Sequence, residues 1–229
     1  QGARGRLLGQ NCSTKPHLRI GNLSFEWHKR KQGVAYWSGT SSEIDMAIGA
    51  KIEELHASLP QGVTLVAVSK FHPVEALQEA YEAGQRIFGE SRVQELLVKH
   101  EALPKDIEWQ MIGHLQTNKV RQIVPFVSLI QSVDSVRLIE CINREAERIG
   151  RVVDILLEIR VAQEESKTGW DFDELVEYIK GDGLQTLRNI RVRGVMGMAT
   201  NTDDEMIIRA DFEQLAKHKE ALASHFDAS

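Results

Sequence analysis

Val63-Thr-Leu-Val-Ala-Val-Ser69-Lys70 is an apolar, β-branched run that stops on a lysine. Bounded by Gly62 and by polar residues, so short a run reads as a strand buried on both faces. His72-Pro73-Val74-Glu75 follows with the signature of a helix start, Pro73 at the first helical position and Glu75 able to reach back to the cap. Gly84 ends that helix. Arg86-Ile-Phe-Gly89 is then a second strand, followed by a helix through Val93, Leu96 and Leu97.

The unit recurs along the chain. The patterning predicts strands at 107–112, 127–131, 152–161 and 190–196, and helices at 116–124, 135–149, 171–180 and 203–224. Asp171 with Glu174, and Thr202 with Glu205, have capping-box spacing, and Ser42 is placed to cap an earlier helix ending near Ser58. Six strands, each followed by a helix, are the grammar of a parallel α/β sheet wound by right-handed crossovers. Such a sheet closes into a TIM-type (β/α) barrel or stays open and doubly wound. No GxGxxG follows the first strand, so the dinucleotide fingerprint of the open form is missing.

Composition sets the outer limits. The chain has 229 residues, 42% hydrophobic and 27% charged, which suits one globular domain with an appendage. No apolar run is long enough to span a bilayer, and no signal-peptide core stands in the first residues, so a cytoplasmic setting is expected. Two cysteines, Cys12 and Cys141, make neither a disulfide scaffold nor a Cys-rich zinc site. The net charge of −5 gives no overall pull toward nucleic acid or a membrane surface. Residues 1–42 differ from the rest, with seven Lys/Arg against one acid, Glu26, and no helical or strand periodicity. They are expected to be a basic extension outside the fold, which occupies 43–229.

In parallel α/β folds chemistry gathers at the carboxyl ends of the strands. Lys70 leaves an apolar strand at such an end. Desolvation there would favour the neutral amine that a Schiff-base lysine needs, although a lysine simply snorkelling to solvent fits the same position. His114 and Asn118, in Gly113-His-Leu-Gln-Thr-Asn-Lys119, either face the pocket or serve the local turn. Gly194-Val-Met-Gly197-Met-Ala-Thr200 either walls a flat ligand or packs the core. No HExxH, zinc-spaced Cys/His cluster, GxSxG elbow or Walker loop is present, and no second base is evident beside Lys70.

Taken together, Ala67-Val-Ser-Lys70, Phe88-Gly-Glu-Ser-Arg-Val-Gln-Glu95, Trp109-Gln-Met-Ile-Gly-His-Leu-Gln-Thr-Asn-Lys119, Glu164-Glu-Ser-Lys-Thr-Gly169 and Gly194-Val-Met-Gly-Met-Ala199 resemble the pyridoxal phosphate homeostasis protein family. The resemblance runs in register from about residue 43 to the end. It implies a barrel like the alanine racemase N-terminal domain, with pyridoxal 5′-phosphate (PLP) held as a Schiff base on Lys70. It also implies Ser91, His114, Asn118, Met196 and Gly197 as further cofactor-binding residues. The implied role is to buffer or deliver PLP, to apo PLP-dependent enzymes among others, without established turnover, as a monomer or weak dimer. A Schiff-base enzyme on the same barrel, racemase-like or a class I aldolase, is the alternative. A PLP-free interaction module using the basic arm is a more distant one.

Three positions depart from the family's pattern. Ser91 stands where asparagine is usual, Gln110 where histidine is common, and Arg160 where a small polar residue is usual. The family also continues with a Ser-Met-Gly-Met-Ser segment and an Arg-x-Gly turn before Phe-Gly. The barrel is therefore expected to be truncated after its sixth strand and following helix, without the last two strands and most of the phosphate cradle.

Overall fold

A computed structural model of the chain describes residues 17–20, 23–26, 48–162, 168–181 and 183–226. The helix start expected at Ser42 and the Glu164–Lys167 part of one motif lie outside the described residues. The first elements are an antiparallel pair, β1 (His17–Ile20) and β2 (Leu23–Glu26), which forms a small sheet of its own. Strand periodicity gave no sign of this hairpin.

The main unit begins with α1 (Ile48–Ser58) and then alternates: β3 (Ala67–Val68), α2 (Val74–Glu82), β4 (Ile87–Glu90), α3 (Val93–Ala102), β5 (Glu108–Met111) and α4 (Thr117–Ile123). It continues through β6 (Leu129–Val133), α5 (Val136–Glu147), β7 (Val153–Glu158), α6 (Phe172–Lys180), β8 (Ile190–Met196) and α7 (Glu205–Leu222). Every neighbouring pair of the larger sheet is parallel, and the spatial order β3-β4-β5-β6-β7-β8 is the chain order. A doubly wound sheet reverses its order at a switch point. This one does not reverse, so the architecture is that of a (β/α) barrel. Among the described residues β3 and β8 do not pair with each other, and the barrel is open along that seam.

Sequence explains most boundaries. Helix α5 turns Leu138, Ile139, Ile142 and Ala146 to one buried stripe at helical spacing. At α6 the Asp171 carboxylate accepts the N–H groups of Asp173 (3.0 Å) and Glu174 (3.4 Å), as its spacing predicts. Two starts differ from the expectation. Asp204, not Thr202, caps α7 by accepting the Met206 N–H at 2.9 Å, while the Thr202 hydroxyl accepts the Asp204 N–H. Pro73 is the cap of α2 rather than its first helical residue, and no side chain bonds the backbone there. The core between sheet and helices is filled by fully buried Phe88, Trp109, Met111, Ile130, Ile155 and Leu157 from the strands, with Leu96, Leu138, Ile139 and Ile142 from the helices. Phe88 and Trp109 meet at 5.8 Å between ring centres.

Candidate functional site at the strand ends

Strand β3 is two residues long and, among the described residues, pairs with β4 alone, with Ala67 opposite Phe88 and Val68 opposite Gly89. The chain leaves the sheet at Ser69, whose N–H still donates to the Gly89 carbonyl (3.0 Å). Lys70 comes next and is half-buried. Burial pushes its ammonium below the ordinary lysine range. Glu90 and Glu95 oppose that shift, and Arg92 reinforces it. Lys70 is therefore held closer to its neutral, nucleophilic form than a solvent-facing lysine.

Behind this residue lies a buried ionic network. The Lys99 ammonium of α3 contacts Glu90 Oε1 at 2.5 Å, donates to the Ser69 carbonyl at 2.7 Å and reaches Glu95 Oε2 at 3.4 Å. The Ser69 hydroxyl donates to Glu90 Oε1 at 2.8 Å. Glu90 is wholly buried, and its Oε2 has no hydrogen-bond partner. Both ions of the Glu90–Lys99 pair are out of water, so each depends on the other.

Farther along the rim, His114 follows β5, Asp134 follows β6 and Glu158 ends β7. His114 Nδ1 lies 3.1 Å from Asp134 Oδ2, and the Ser135 hydroxyl donates to Asp134 Oδ1 at 3.1 Å. An Nδ1–H donated to Asp134 leaves His114 Nε2 as the acceptor. Glu158 is buried, and burial raises its carboxyl above the usual range; a Thr168 hydrogen bond opposes this, nearby Asp134 adds to it, and His114 opposes it. The rim carboxylates Asp134 and Glu158 come from different strands. They stand singly at strand ends, one per strand.

The close approach of strand ends fixes two glycines. A Cβ on Gly113 would lie 2.5 Å from the Ser91 carbonyl oxygen and 2.7 Å from its Cα, so the ends of β4 and β5 touch only because Gly113 has no side chain. At Gly197 a Cβ would meet Leu215 of α7 at 2.8 Å and the Ile159 carbonyl at 3.2 Å.

The sequence matches the alanine racemase N-terminal domain family over residues 46–228. It is 34% identical over 165 residues to the pyridoxal phosphate homeostasis protein of Schizosaccharomyces pombe, covering 71% of this chain and 69% of that one. It is 40% identical over 145 residues to that of Synechocystis sp., covering 62% and 66%. The chain belongs to the pyridoxal phosphate homeostasis protein family.

Solved structures agree with that placement. PipY of Synechococcus elongatus without PLP superposes with a TM-score of 0.74 at 36% identity, covering 78% of this chain and 83% of that one. The PLP-bound form of PipY gives 0.70 over the same shares. Alanine racemase of E. faecalis, 16% identical with a TM-score of 0.59, shares the fold.

In this family member the structure sets Lys70 and Ser91 on the adjacent ends of β3 and β4, with His114 on the next end. Asn118 is exposed in the first turn of α4. Met196 is buried at the end of β8, its carbonyl accepting the Ile159 N–H at 2.8 Å, and Gly197 beside it serves the seating of α7. Gln110, at the position where the family commonly has histidine, accepts a hydrogen bond from Gln131 at 2.6 Å. Sequence reasoning missed Glu90, Lys99 and Asp134. One signal for Lys99 was present: it falls three residues after Leu96 and six after Val93, on the buried face of α3, where a lysine needs a buried anion.

Proposed function

We propose that this chain carries PLP as a reversible Schiff base on Lys70 and serves cytoplasmic homeostasis of that cofactor, without catalytic turnover of its own. The observation that carries the proposal is the half-buried Lys70 amine, pushed toward its neutral form where the chain leaves the first barrel strand. The donor chemistry at that point fits the group, since PLP supplies an aldehyde that condenses with unprotonated amines. PLP-bound PipY, of the same fold and 36% identical, supports the assignment.

The residues divide the work. Lys70 holds the cofactor, Glu90 and Glu95 keep its amine from losing its proton too readily, and Arg92 pulls the other way. Ser91, His114, Asn118, Met196 and Gly197 are proposed as the surrounding wall. Apo PLP-dependent enzymes are the proposed recipients, and the chain is proposed to act as a monomer or weak dimer. Among the described residues no helix is long and apolar enough to cross a membrane.

A racemase-like activity is the second reading, and one observation favours it. The His114–Asp134 pair places a proton acceptor, His114 Nε2, on the same rim. A PLP titration followed by visible absorbance separates the possibilities. Carriage through Lys70 predicts a saturable band in the parent protein that Lys70→Ala lacks, with no conversion of added amino acids. Turnover of an amino acid that disappears in both Lys70→Ala and His114→Ala would replace the carrier reading with the enzymatic one. An equal band in parent and Lys70→Ala protein would refute both.

A further inference from the structure

The backbone around Lys70 is held on both sides. Ahead of it, Ser69 is fixed by Lys99 at its carbonyl (2.7 Å) and by Glu90 at its hydroxyl (2.8 Å). After it, the Phe71 N–H donates to Glu95 Oε2 at 3.0 Å. Lys99 contacts both carboxylates, at 2.5 and 3.4 Å, so the two holds form one unit. Phe71 has φ of +65°, the single positive φ at a non-glycine position among the described residues. An aromatic side chain does not favour that left-handed region, so something outside the residue must maintain it. Phe71 is also exposed, so core packing does not do so; the His72 N–H closes the turn on the Ser69 carbonyl (3.1 Å), Arg92 lies 5.0 Å from the ring centre, and Glu95 is the side chain that bonds the Phe71 peptide itself.

We propose that Glu95 is a positioning residue for Lys70: its carboxylate holds the Phe71 peptide in the left-handed conformation and thereby sets where the Lys70 amine enters the barrel mouth. This rests on Lys70 being the working amine of the site. Glu95 is suited to the task. Burial pushes its carboxyl up, but the Phe71 N–H, Lys99 and Arg92 outweigh burial and hold it below the usual carboxylate range. It stays an anion wherever Lys70 could react. The charged groups around Lys70 are Glu90 from β4, Arg92 from the β4–α3 link, and Glu95 from α3, with Lys99 of α3 behind the two carboxylates. Glu95 therefore has a second effect besides geometry: its charge favours the Lys70 ammonium and tempers the amine's reactivity.

Two measurements on the cofactor-free full chain test this. The first is hydrogen exchange of the Phe71 amide by NMR. The second is competitive acetylation with acetic anhydride across pH, read for each lysine by mass spectrometry. Glu95→Ala removes both the acceptor and the charge, whereas Glu95→Gln keeps an acceptor oxygen. Glu95→Ala is expected to speed Phe71 exchange about tenfold or more, the loss of a charge-assisted hydrogen bond, and Glu95→Gln to speed it less. Both substitutions are expected to move the acetylation midpoint of Lys70 to lower pH and leave those of Lys51 and Lys105 in place. Should Glu95→Ala fail to fold, Glu95→Gln decides alone through the Lys70 midpoint. An unchanged Phe71 exchange rate in folded Glu95→Ala, or a Lys70 midpoint that stays or rises in Glu95→Gln, overturns the proposal. Neither readout involves PLP. A chain that shows both changes yet takes up no PLP refutes the carrier function and leaves the positioning role standing, and the converse result does the reverse.

Discussion

Replacing Lys99 by methionine is the sharpest test of how the site is held together. The substitution keeps the length of the side chain and its packing on α3 and removes the ammonium. Three contacts vanish: to Glu90 Oε1 at 2.5 Å, to the Ser69 carbonyl at 2.7 Å and to Glu95 Oε2 at 3.4 Å. Glu95 is partly exposed and can turn to water, but Glu90 cannot. It is wholly buried, one of its oxygens is already without a partner, and only the Ser69 hydroxyl would remain on the other. Removing one partner of a buried pair costs about 3–5 kcal/mol, because the remaining charge stays out of water. At about 2–4 °C per kcal/mol for a domain of this size, Tm should fall by roughly 6–20 °C. Thermal unfolding followed by circular dichroism at pH 7 and physiological salt gives the number. Glu90→Gln added to Lys99→Met should recover part of the loss, since a neutral amide tolerates the dry site better than a lone carboxylate. A loss below about 1 kcal/mol, the scale of an exposed ion pair, would refute the reasoning, as would a double variant less stable than Lys99→Met alone.

Gly113→Ala should destabilise by about 1–3 kcal/mol, seen as a lower Tm, because the new Cβ would sit 2.5 Å from the Ser91 carbonyl and backbone cannot step aside as a side chain would. The His218 ring packs against Phe172, with ring centres 3.7 Å apart and planes tilted by 40°; its Nε2 is buried and without a hydrogen-bond partner, and burial pushes its pKa down although Asp173 partly opposes this. A folded pKa below the unfolded value means this contribution to stability is present above the model-peptide value of 6.5 and is lost as pH falls through the folded pKa. A pH series of melting curves should therefore show less acid-side loss in His218→Leu than in the parent. Glu158 has the opposite sign, because its carboxyl is raised by burial: the folded state binds its proton more readily than the unfolded state, so stability from this group rises as pH falls through the folded pKa. Glu158→Gln should raise Tm at pH 8 and show little of that pH-dependent gain.

The barrel was largely legible in the sequence because strands such as β3, β4 and β7 lie in short, mostly apolar runs that end at glycine or a polar residue, and helices such as α5 have an apolar stripe at helical period. Strand order was not legible, since it depends on contacts between residues far apart in the chain. The monotonic order β3 to β8 is what removes the doubly wound alternative. Local competition explains the smaller differences. At α7, Thr202 and Asp204 both have side chains able to cap, and the acid nearer Glu205 takes the role. Lys70 was visible because it directly follows an apolar strand. Lys99 was harder to see: as the last-turn lysine of a helix with Glu95 four residues before it, it has the spacing of an ordinary surface ion pair. Only the fold shows that Glu90 lies beneath it. Asp134 escaped notice for a similar reason, because its partner His114 is twenty residues away and meets it only when β5 and β6 lie side by side.

Borohydride reduction of the PLP-treated chain, followed by peptide mass spectrometry, bears most directly on the central assignment. The account predicts a reduced pyridoxyl adduct concentrated on Lys70 at substoichiometric PLP. An adduct spread evenly over the lysines, or concentrated on another one while Lys70 stays unmodified, would contradict it.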